Sequence, residues 1–136
     1  MIGKMVFALV AAVGLFSTNV MADCTSDRPG LLKAADVLME DMETFDEALH
    51  EVKAEEKIIG LVHHFEEGLL EFMEELRTGA SCKQAIDEFQ HFHEDIQLTY
   101  RALDARPDIF YAGNVLNTWN RLLPSFVRFQ NRLYWY

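Results

Sequence analysis

The stretch 31-LLKAADVLMEDMETFDEALHEV-52 decides how the rest of the chain is read, because Leu31, Ala35, Leu38, Met42, Phe45, Leu49 and Val52 recur in alternating steps of four and three. That spacing gathers one apolar stripe on one side of an α-helix. Met42 sits in the middle of the stripe, inside Met42-Glu43-Thr44-Phe45. A thioether there is either core filler or a soft ligand for iron, and the functional reading turns on which.

The same stripe recurs three more times. Ile58, Val62, Phe65, Leu69, Phe72 and Leu76 define a second helix, and Cys82, Ala85, Phe89, Phe92, Ile96, Thr99 and Leu103 a third. Val115, Trp119, Leu122, Phe126, Phe129 and Leu133 define a fourth. Ser26-Asp27-Arg28-Pro29 supplies a cap and a first-turn proline for helix one. Thr78-Gly79-Ala80-Ser81 ends helix two on a glycine and opens helix three on a serine. Between helices one and two, Lys53-Ala54-Glu55-Glu56 has no glycine, proline or asparagine to force a turn. A break is still expected there, since one helix from Pro29 to Arg77 would expose a long apolar seam. Pro107 and Gly113 bracket the junction before helix four, and Pro124 predicts a kink within that helix. With no strand-like alternation anywhere, the expected fold is all-α, an antiparallel up-down-up-down four-helix bundle.

Residues 1–22 have the layout of a cleaved signal peptide: Lys4, the apolar run Met5 to Phe16, and Val20-Met21-Ala22 at the cleavage site. The run is too short to span a bilayer core of about 30 Å. Residues 23–136 then form the bundle domain in the periplasm, with no membrane insertion after cleavage. The chain has 12 Lys and Arg against 22 Asp and Glu, a net charge of −10. Such a charge repels nucleic acid and anionic lipid. An exported chain with two cysteines most simply pairs them, here Cys24 with Cys82, for about 2–4 kcal/mol; reactive thiols or metal ligands are the rival reading, without a Cys-x-x-Cys to support it. A monomer is expected.

Two Glu-x-x-His pairs, Glu47 to His50 and Glu88 to His91, invite comparison with carboxylate-bridged di-metal bundles. Those sites need one inward carboxylate from each remaining helix; helix two offers Glu66 or Glu71, but helix four has no acid from Asn114 onward. A histidine-rich site built on His63, His64, Glu67, His91 and His93 also lacks a helix-four ligand, and His91 and His93 point about 200° apart. Glycine-rich phosphate loops and nucleophile elbows are absent from the sequence, so an enzyme is not expected. Helix four instead carries Arg121, Arg128 and Arg132, suited to pairing with the acidic helices or to docking an anionic group beside Trp119, Phe126 and Phe129.

The signal peptide, the four-helix layout and Met42-Glu43-Thr44-Phe45 with Leu49 resemble the cytochrome b562 family, soluble periplasmic b-type cytochromes. Glu88-Phe89-Gln90-His91 is similar to the start of that family's third helix. The resemblance implies an electron carrier with haem b between helices one and four, Met42 as one axial ligand, Phe45 and Phe126 against the ring, and Arg128 or Arg132 at its propionates. A redox partner in the periplasm follows from the same resemblance. The family's second ligand, a histidine near the end of helix four, falls on Gln130. His63 or His91 could replace it only with the haem elsewhere in the bundle. The alternative is a haem-free helical bundle that binds a periplasmic partner through helix four and the tail Tyr134-Trp135-Tyr136.

Overall fold

The computed structural model describes residues 28–79 and 82–134, and the side chains within them except those at 82–86, 88–89 and 134. The signal peptide, Cys24, the Ser26 cap, the side chains of Cys82 and Glu88, and the tail Tyr134-Trp135-Tyr136 lie outside the described residues or side chains. The described chain is helical: α1 (Arg28–Glu51), α2 (Glu56–Thr78), α3 (Cys82–Asp104), the single turn α4 (Pro107–Phe110) and α5 (Val115–Tyr134). No strand occurs among the described residues. None of their helices is long and apolar enough to cross a membrane.

The stripes meet in one core. Leu31, Ala35, Leu38, Met42, Phe45 and Leu49 of α1 are buried with Ile58, Val62, Phe65, Leu69, Phe72 and Leu76 of α2 and with Val115, Trp119, Leu122, Phe126, Phe129 and Leu133 of α5. α1 packs on α2 and α5, and α2 packs on α3. Aromatic rings dominate the interior: Phe72 contacts Phe92 and Phe129 edge-on at 5.7 and 5.3 Å, and Phe65 lies 5.4 Å from Phe92. Such pairs add to the area they bury. Gly68 makes room for this cluster, because a Cβ at that position would stand 2.8 Å from Phe92 Cε1.

The turn between α1 and α2 is made without glycine. Lys53 takes φ 55°, its amide donates to the carbonyl of His50, and the Ala54 amide donates to that of Leu49. This is a Schellman closure with lysine at the left-handed position, and the burial of Ala54 against the core completes it. α2 ends conventionally, on Gly79 at φ 99°. The helix-three to helix-four junction contains the extra turn α4, opened by Pro107 at its first position, where the missing N–H is no loss. Arg106 donates to both carboxylate oxygens of Asp108, at 3.0 and 2.8 Å, and also to Glu55 at the start of α2. Hydrogen bonding to Arg106 holds the Asp108 carboxyl below the usual range. α5 continues through Pro124 as one helix.

Candidate metal centre

α2 presents His64 beside the buried Phe65, one position round the helix from the stripe. On α3 the buried residues Phe92, Asp95, Ile96 and Thr99 form the inner face, so Asp95 is carried inward while His91, one turn earlier, stays on the rim. The two helices therefore bring an inward carboxylate between two exposed imidazoles. His64 Nδ1 lies 3.1 Å from Asp95 Oδ2, and His91 Nε2 lies 3.9 Å from the same oxygen. The imidazole rings meet edge-to-face with centroids 4.9 Å apart. Donor atoms of all three residues fall within 4.8 Å of one another.

The Asp95 side chain is only 5% exposed. Burial pushes its carboxyl above the usual carboxylate range, and the neighbouring His64 and His91 pull it back. His64 Nδ1 and Asp95 Oδ2 share the proton of a hydrogen bond. A metal ion that takes the imidazole nitrogen replaces that proton, as metal binding at histidine generally does. The triad opens onto a cleft of about 470 Å³ lined by His64, Glu67, Gly68, Glu71, Asp87 and His91. Three carboxylates on the walls favour a cation, and two imidazoles with one carboxylate suit a borderline transition metal such as Zn²⁺.

The residues marked by the cytochrome resemblance belong to α1 and α5. Met42, 2% exposed, is buried in one core with Phe45 and Phe126. Phe45 packs 5.4 Å from Trp119, and Ser125 donates to Asp41, so partner numbers fall along α5 as they rise along α1. This register sets Met42 level with about residues 123 and 124. Gln130, half-buried, lies roughly 10 Å further along α5 at 1.5 Å per residue. Arg128 is exposed and reaches Ser125 Oγ at 3.5 Å. The structure thus unites Met42, Phe45 and Phe126 but brings neither Gln130 nor Arg128 to the thioether. Arg121 shares a shallow surface cleft with Glu40, Asp41, Glu43 and Glu47, in keeping with pairing to the acidic face of α1.

The sequence pattern marks His64 and His91 as candidate ligands but not Asp95. The Glu-x-x-His pattern marks Glu47, one position from His50's partner Asp46, and Glu88, seven positions from His91's partner Asp95. His50 and His91 contact Asp46 and Asp95, four residues distant on their own helices. The legible signals were Asp46-x-x-x-His50, His91-x-x-x-Asp95 and the dipeptide His63-His64. Comparison with family models, with curated proteins and with solved structures finds no match.

Proposed function

We propose that the chain is exported, folds as an antiparallel up-down-up-down bundle without haem, and binds a divalent transition-metal ion through His64, His91 and Asp95. The observation that carries this reading is a nearly buried carboxylate held between two exposed imidazoles from neighbouring helices. The bundle arrangement is supported by the opposite numbering of the α1–α5 contacts and by one shared end: Arg106 pairs with Glu55, and a Cβ at Gly113 would touch Val52. Two imidazoles and one carboxylate form a donor set suited to holding such a cation. A b-type carrier would require the packed seam around Met42 to open and a second ligand to come from a residue other than Gln130.

Titration of the untagged protein with Co²⁺ or Zn²⁺ tests this. Wild type should bind, while His64→Ala and His91→Ala should each weaken this site by at least about tenfold, the loss expected when a ligand or its orienting partner is removed. Uptake identical to wild type in both variants would refute the site. Hemin at equimolar concentration should give no sharp Soret band; a band that shifts on reduction and changes in Met42→Ala would establish the cytochrome reading instead.

A further inference from the structure

We infer that the α1–α2 seam holds a second metal site, formed by Asp46, His50 and His63 and sharing no residue with the first. Asp46 is again the inner member, its side chain 18% exposed. His50 Nε2 stands 3.4 Å from its Oδ1, and His63 Nε2 stands 3.4 Å from its Oδ2. Both histidines are exposed, with ring centroids 5.9 Å apart. All three donors lie within 4.8 Å of one another.

One feature of this seam points to a cation. Asp46 Oδ1 is shut off from solvent and accepts no hydrogen bond, although a buried carboxylate oxygen ordinarily has a donor. A divalent ion seated between Asp46 Oδ1 and the two Nε2 atoms supplies the missing partner. Two imidazoles and one carboxylate select Zn²⁺, Ni²⁺ or Cu²⁺ over Ca²⁺ and Mg²⁺, which prefer all-oxygen sets.

The two sites mirror each other across α2. His63 and His64 are consecutive and so diverge by about 100°, one toward α1 and the other toward α3. Each completes a pair in which aspartate and histidine are four residues apart on the facing helix. One dipeptide thus serves two ions, and a loaded protein has α2 cross-linked to both neighbours.

Native mass spectrometry of the untagged full chain with Zn²⁺ distinguishes the sites. His50→Ala and His63→Ala, both at exposed positions, should each bind one ion fewer than wild type, and so should Asp46→Asn, which keeps the side-chain shape. His91→Ala should also lose one ion, and His63→Ala/His91→Ala should lose two. Unchanged stoichiometry in both His50→Ala and His63→Ala overturns the second site, whatever His91→Ala does. Unchanged stoichiometry in His91→Ala alone overturns the α2–α3 site and leaves this one standing. Equal uptake of Mg²⁺ by wild type would overturn the assigned ligand chemistry.

Discussion

Met42 and Asp95 lie at nearly the same depth, 2% and 5% exposed, yet the protein treats their donor atoms oppositely. Around Met42 the seam between α1 and α5 is closed with Phe45, Trp119, Leu122 and Phe126, all buried. Beside Asp95 the structure leaves two imidazoles exposed, and both line a cleft open to water. A buried donor becomes a ligand where other donors converge on it along a path a cation can travel. The Met42 thioether is packed in the core among buried apolar side chains.

The comparison is easiest to break at Met42. Met42→Ala should destabilise the protein by about 2–5 kcal/mol through the cavity it leaves, whereas Met42→Leu should cost less than about 1.5 kcal/mol. Urea unfolding measures both, and Zn²⁺ uptake should be unchanged in each. Asp95→Asn should do the reverse. Losing the carboxylate charge should lower Zn²⁺ affinity by at least about tenfold, roughly 1.4 kcal/mol, while the metal-free protein stays within about 1 kcal/mol of wild type, since the amide oxygen still accepts from His64. A large loss of fold stability in Asp95→Asn with affinity intact would make that residue structural.

The smallest effect concerns Glu66 on the opposite flank of α2. Burial, then Asp46, push its carboxyl up to about 7 from an ordinary 4.5, with His63 opposing. Between those values the folded protein keeps a proton that the unfolded chain has released, so stability falls as pH rises through about 4.5 to 7 and levels off above. With solvent screening taken into account, Glu66→Gln should remove on the order of 1 kcal/mol of that slope. Urea midpoints at pH 5 and pH 8 in EDTA check it, and an equally steep slope in the variant would exclude Glu66 as its source.

How much of this was legible depended on whether the signal was periodic or spatial. Six of the seven α1 stripe residues are buried, with only Val52 half-exposed, and the α2 and α5 stripes are buried throughout, because amphipathic spacing is written locally. The first turn was hard to place because Lys53 occupies a position that glycine normally marks, and the closure is secured by burying Ala54, which composition does not signal. α4 forms within the junction that Pro107 and Gly113 bracket. The aspartates that complete the histidine centres were illegible for a different reason. Asp and His four apart are common on solvated helices, and only the packing of α2 between α1 and α3 reveals which flanks face one another. In α1 and α5, the residues marked by the haem resemblance, Gln130 and Met42, are out of register.

Gly68 gives the hydrophobic interior a say in which ion is held. It follows His64 by one helical turn, and the ring seated against its bare backbone belongs to Phe92, the residue after His91. The spacing of α2 and α3 is gauged at that point by an aromatic edge on a missing side chain. The bite between His64 and Asp95, and with it the ionic radius the triad accepts, is therefore tuned from the apolar side of the helix pair, by a residue that offers no ligand atom of its own.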